Sequence, residues 1–124
     1  MIIGIGCDII EIARIASAIE NKRFVERVYT SQEQGYCKSR GAQAASSYAA
    51  RFGAKEAVLK ALGTGLRDKG TLLDIEVVND ELGKPSVQLS GYFQQLAQQQ
   101  GVKNIYLSLS HDRERALAYC VMEG

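Results

Sequence analysis

Residues 46–62 read SSYAARFGAKEAVLKAL, and this stretch decides the fold. Alanine, leucine, lysine and glutamate dominate it, all strong helix formers, and no proline interrupts it. Gly63 follows, the residue type that most easily takes the left-handed turn closing a helix. The composition predicts one long helix from about Ser46 to Leu62. On it Glu56 and Lys60 stand one turn apart, as do Arg51 and Lys55, and Gly63 continues the Glu56 side at i+7.

Working outward, residues 2–7 alternate. Ile3, Ile5 and Cys7 take one face of a strand, and Gly4 and Gly6 take the other, with Asp8 on that side at the strand's exit. A glycine face lets another element approach the backbone closely. From Ile10 to Ile19 the spacing turns helical, with Arg14 three residues after Glu11. Residues 21–38 are polar and broken, consistent with short helices, and Thr30-Ser31 followed by Glu33 and Gln34 resembles a helix start. Beyond the long helix, Gly63, Thr64, Gly65 and Gly70 punctuate a connection. Asp74–Val78 reads as a strand, Asn79–Pro85 (NDELGKP) as a turn, and Ser86–Leu89 as a second strand. Ser90 is placed to cap a helix over 91–100 whose apolar face is Phe93, Leu96 and Ala97. Ile105–Ser110, the HDRER turn and Ala116–Met122 form a hairpin. Helices concentrated early and antiparallel strands late indicate an α+β fold, a long central helix packed with shorter ones on a small, largely antiparallel sheet.

The chain has 124 residues, a formal net charge of +1, 46% hydrophobic residues and no tryptophan. That length suits one domain over residues 1–124. The charge balance makes no case for nucleic acid or an anionic membrane. Cys7, Cys37 and Cys120 show no paired spacing, so neither a disulfide framework nor a zinc site is indicated. Cys7 and Cys120 lie in apolar runs and read as buried small hydrophobes. MIIGIGCDII lacks the pattern of a signal peptide, and the chain reads as cytosolic.

Asp8, Glu56 and Lys60 are the residues whose types suit chemistry on a phosphate. A carboxylate on a helix beside an ammonium, leading to a glycine-rich loop, can hold a hard cation and neutralise phosphate oxygens. The plainer reading of Glu56 and Lys60 is a solvated i,i+4 pair, and that of Asp8 is a helix N-cap. His111, the only histidine, opens a turn beside Asp112, Arg113 and Arg115. Lys84 lies in a turn signal, and Arg14 most simply pairs with Glu11. No catalytic triad, P-loop or dinucleotide fingerprint is present.

Taken together the motifs resemble a known family. IIGIGCDIIEIARI matches G-x-D-x-x-x-x-x-R through Gly6, Asp8 and Arg14, and RFGAKEAVLKALGTG matches R-F-x-x-K-E-A-x-x-K-A-x-G-T-G. NDELGKPSVQL and LSLSHDRERALAYCV fit two later blocks in the same order. The chain resembles the holo-[acyl-carrier-protein] synthases, the short, single-domain 4′-phosphopantetheinyl transferases, along essentially its whole length. The resemblance implies the fold of that family. It also implies transfer of 4′-phosphopantetheine from coenzyme A to a serine of apo acyl carrier protein, in support of fatty acid biosynthesis, with release of adenosine 3′,5′-bisphosphate. By the same resemblance Asp8 and Glu56 would ligate Mg²⁺ and Lys60 would stabilise charge on the bridging and leaving oxygens. Either Glu56 or a metal-bound water would take the serine proton. Arg51, Lys60, Gly63, Thr64, Gly65, Lys84, Pro85 and His111 match positions near coenzyme A. Arg14 would meet the acidic carrier, with Lys22, Arg23 and Arg27 either extending that patch or forming a solvated face. A homotrimer with active sites between subunits is implied as well. Two other classes stand beside this one: a non-catalytic coenzyme A-binding module, and a metal-dependent hydrolase of a diphosphate nucleotide.

Overall fold

The computed structural model describes residues 1–64 and 69–124. Its elements are β1 (Ile2–Glu11), α1 (Ile12–Ala18), α2 (Lys22–Val28), α3 (Ser31–Ser39), α4 (Ala44–Leu62), β2 (Ile75–Asn79), β3 (Pro85–Leu89), α5 (Gly91–Gln99), β4 (Asn104–His111) and β5 (Arg115–Glu123). β1, β5 and β4 form an antiparallel sheet in that order, and β2 and β3 form a separate antiparallel pair. The expected α+β architecture is therefore present.

α4 is the expected long helix, and it is buried on nearly every side. One side packs on β1 and β5, and others face α1, α3 and β2. Its end shows why Gly63 follows Leu62. Gly63 sits at φ 77°, and the Gly63 and Thr64 amides donate to the Lys60 and Leu59 carbonyls, the last of these at 3.0 Å. That is the double hydrogen bond which satisfies a helix's orphan carbonyls, and it needs a left-handed residue.

The glycine face of β1 is the face turned to α4. A Cβ on Gly6 would overlap the carbonyl oxygen of Ala57, and one on Gly4 that of Ala61. Strand backbone thus lies directly on helix backbone, where the helix presents Gly53, Ala57 and Ala61. The opposite face, with Ile5, Cys7 and Ile9, points away from the helix. Cys7 is exposed, which corrects the expectation of a buried thiol; Cys120 is buried on the inner face of β5.

Asp8 is not at a strand exit. Pairing with β5 carries β1 on to Glu11, opposite Arg115, so Asp8 lies within the strand opposite Ala118. Nor is it a helix cap: Glu11 holds that position on α1 without a side-chain cap bond. Polar Asp8 broke the sequence pattern, but ladder pairing does not depend on side-chain polarity. Thr30 does cap α3, its hydroxyl accepting from the Glu33 amide while the Glu33 carboxylate accepts from the Thr30 amide. Ser90 precedes α5 but makes no cap bond; its hydroxyl donates to Asp74 instead, at 3.2 Å. Phe93 and Ala97 bury the apolar face of α5, with Leu96 packed beside them.

Candidate active site

Close backbone contact between β1 and α4 brings together residues far apart in sequence. Asp8 leaves β1 on the face turned to α4, two residues after Gly6. Lys60 crosses from α4 and donates to Asp8 Oδ1 at 3.1 Å and to the Cys7 carbonyl at 3.0 Å. The helical Glu56–Lys60 pair does not form; Lys60 is paired with Asp8. Glu56 is half-buried, and its carboxyl is held above the usual value by burial first and by the charge of Asp8 second, with Lys60 opposing. The hydrogen bond and charge of Asp8 push the exposed Lys60 ammonium up. Two carboxylates and one ammonium thus converge, a meeting that their spacing in the sequence could not show. The described residues hold no group of three or more His, Cys, Asp or Glu side chains that could cage a metal. An all-oxygen pair of carboxylates, in which the charge of Asp8 makes Glu56 harder to ionise, fits a hard divalent cation completed by water and phosphate oxygens.

A second group assembles elsewhere. A cavity of about 200 Å³ is lined by Tyr36, Arg40, Arg51, Asn79, Pro85 and His111 among others, and by none of Asp8, Glu56 and Lys60. It brings Arg51, Pro85 and His111 together, three residues whose sequence positions are 26 or more apart. His111 ends β4 opposite Ala116. The β2–β3 turn is held by Asp80, whose carboxylate accepts from the Leu82 and Lys84 amides, leaving the Lys84 side chain exposed. Thr64 is half-buried beside Gly63, and Gly65 lies outside the described residues. Arg14 is exposed on α1, and it makes no ion pair with Glu11 among the described residues. Lys22, Arg23 and Arg27 are exposed on α2, with Lys22 3.8 Å from Glu26.

Residues 4–120 match the model of the 4′-phosphopantetheinyl transferase superfamily. The chain belongs to this superfamily. Among its relatives in the superfamily, the holo-[acyl-carrier-protein] synthase of Trichlorobacter lovleyi is 49% identical over 126 positions, covering 100% of this chain and 99% of the relative. That of Clostridium tetani is also 49% identical, covering 100% and 98%. The crystal structure of the Neisseria meningitidis synthase superposes with a TM-score of 0.89 at 33% identity, covering all of both chains. A Bacillus anthracis synthase in complex with CoA (3′,5′-ADP) superposes with a TM-score of 0.83 at 40% identity, covering 100% of this chain and 98% of that one. The expected phosphopantetheinyl transferase fold is thereby established.

Sequence reasoning passed over one residue of this transferase fold. Glu33 was legible only as the acidic half of a helix cap, yet it is 1% exposed and its carboxylate meets Lys55 at 2.8 Å. Lys55 itself is fully buried and also donates to the Leu72 and Ile75 carbonyls. Burial pulls its ammonium below the ordinary value, and Glu33 opposes that. A signal was available. Arg51 and Lys55 share a helix stripe with Val58 and Leu62, and a basic pair inside an apolar stripe requires a buried carboxylate from elsewhere.

Proposed function

We propose that this chain, acting as one domain over residues 1–124, transfers the 4′-phosphopantetheine group of coenzyme A to a serine of apo acyl carrier protein, releasing adenosine 3′,5′-bisphosphate. The observation that carries the reading is whole-chain similarity to holo-[acyl-carrier-protein] synthases together with the meeting of Asp8, Glu56 and Lys60 where β1 crosses α4. On this reading the protein would serve fatty acid biosynthesis in the cytoplasm. No helix among the described residues is long and apolar enough to cross a membrane.

Asp8 and Glu56 would hold Mg²⁺, which when bound supplies Lewis-acid stabilisation of charge on pyrophosphate oxygens. Lys60, its ammonium kept protonated by Asp8, faces the same space and can neutralise charge on the bridging and leaving oxygens. Glu56 is one group in reach of that space able to accept the serine proton. Arg51, Lys84, Pro85 and His111 would receive the nucleotide, and Gly63, Thr64 and Gly65, next in sequence after α4, would also contact coenzyme A. Arg14, with Lys22, Arg23 and Arg27, offers positive charge to an acidic carrier.

A trimer with sites between subunits is supported by two features. The nucleotide-side cavity and the Asp8–Glu56–Lys60 group are separate within one chain, so a neighbouring copy could complete each site. The outer face of the sheet leaves Ile5 57%, Ile9 61%, Tyr106 53%, Leu117 43% and Tyr119 44% exposed, a contiguous apolar surface of the kind that closed cyclic assemblies cover.

The test is to incubate the protein with coenzyme A, Mg²⁺ and apo carrier, then weigh the carrier by mass spectrometry. A phosphopantetheine mass gain is expected. No gain with any divalent metal refutes the transferase reading, and loss of coenzyme A without carrier modification points to hydrolysis.

A further inference from the structure

Glu33 is a single carboxylate on which three elements close. One oxygen accepts from Lys55 Nζ of α4 at 2.8 Å and from the Thr30 amide at the start of α3 at 2.9 Å. The other accepts from the Val77 amide of β2 at 2.9 Å and stands 4.0 Å from Arg51 Nε. Arg51 is only 3% exposed. Its Nη2 donates to Asn79 Oδ1 at 2.6 Å and to the Val77 carbonyl at 3.3 Å, and its guanidinium lies 4.3 Å from the centre of the Tyr36 ring. Nε is a buried donor with no hydrogen-bond partner among the described residues, and its ion-pair contact there is with the Glu33 carboxylate. Asn79 in turn donates to the Gly83 carbonyl at 3.0 Å, linking Arg51 to the turn that carries Lys84.

We propose that Glu33, together with Asn79, is a positioning residue for the substrate: it holds the Arg51 guanidinium in one place at the wall of the cavity shared with Arg40, Pro85 and His111, where an anionic part of coenzyme A binds. This rests on coenzyme A being the substrate. A free arginine loses rotamer freedom when it grips an anion; one already fixed by a carboxylate, an amide and an aromatic ring does not. Glu33 touches none of Asp8, Glu56 and Lys60, which lie on another side of α4, so its influence falls on substrate affinity rather than on the chemical step.

Glu33→Gln keeps the size but removes the charge. It leaves Lys55 without its counter-ion and sets an amide NH₂ against either the Val77 amide or the donors of Thr30 and Lys55. The expected result is a KM for coenzyme A and a Kd for adenosine 3′,5′-bisphosphate each raised about three- to tenfold, with kcat at saturating coenzyme A changed less than KM and KM for carrier unaltered. A folded variant with wild-type coenzyme A affinity, or one that loses kcat alone, overturns the proposal by reducing Glu33 to a fold-stabilising residue. If circular dichroism shows Glu33→Gln unfolded, Asn79→Ala replaces it, since it frees the 2.6 Å anchor of Arg51 and leaves the Glu33–Lys55 pair intact. Weaker binding of adenosine 3′,5′-bisphosphate is again expected, and unchanged binding overturns the proposal. Wild-type protein that neither binds coenzyme A nor modifies carrier defeats the transferase reading itself. Wild-type binding with unchanged variants defeats only the positioning role.

Discussion

Glu56 combines a functional placement with a cost to folding. Its carboxyl is raised by burial and then by Asp8, while Lys60 pulls it down only in part. The native value therefore stands above the unfolded one. A group of that kind favours folding below the unfolded carboxylate range and loses the contribution as pH rises through the native value. Glu56→Gln should raise the melting temperature of the metal-free protein at pH 7, with the gain over wild type vanishing below about pH 4. The same variant should lose roughly 100-fold or more in turnover, and Mg²⁺ should stabilise wild type far more than the variant. Differential scanning fluorimetry across pH, with and without Mg²⁺, reads both effects; a variant no more stable than wild type at neutral pH contradicts the electrostatic account. Arg14, exposed and unpaired with Glu11, belongs to a different surface. Arg14→Ala should raise KM for carrier several-fold, more at low salt than at high, because exposed charges are screened. An equal rise for coenzyme A would remove Arg14 from carrier docking.

β1 and α4 form the junction on which the candidate site depends. Their backbones touch because Gly4 and Gly6 present no side chain to the carbonyls of Ala61 and Ala57. A methyl at Gly6 has rigid helix backbone as its neighbour, so strand and helix must separate. Gly6→Ala should cost about 1–3 kcal/mol by overpacking, measured by urea denaturation. Because Asp8 is two residues along the same face, activity should fall by more than the folded fraction explains. Normal activity in the folded fraction would show that Asp8 does not depend on this contact. By contrast Gly63→Ala, at φ 77°, meets none of the described residues and is strained there only in its backbone, at about 1–2 kcal/mol.

Across the molecule the sheet has two apolar faces and only one of them is covered. The inner face, Ala116, Ala118, Cys120 and Met122, is sealed against α4. The outer face carries Cys7, opposite Tyr119 in register, among Ile5, Ile9 and Leu117. Burial pushes the Cys37 and Cys120 thiols up to about 11, which keeps them protonated and poorly reactive near neutral pH. Cys7 should be the first thiol alkylated by iodoacetamide, with a rate that drops as protein concentration rises and copies associate over this face. Leu117→Lys should abolish that concentration dependence and shift the mass found by light scattering to a monomer. A trimer that persists in Leu117→Lys would put the interface elsewhere.

Most of the architecture was legible in the residues because it rests on local physics. Helix propensity and a closing glycine delimit α4, the Thr30–Glu33 spacing opens α3, and alternation with turn residues marks β2–β3 and β4–β5. Four motif blocks in order also mark the family in the sequence itself. What the order of residues could not decide was which side of each element is covered, since that depends on contacts made by distant parts of the chain. Cys7 faces outward, not inward, because the glycine side of β1, not its isoleucine side, meets α4. Asp8 remains in the strand because β5 pairs past it. Lys60 bonds to Asp8 and not to Glu56, and Glu33 is a buried counter-ion and not merely a cap. Each of these outcomes depends on two backbones or two charges meeting in space, and only the tertiary structure sets those meetings.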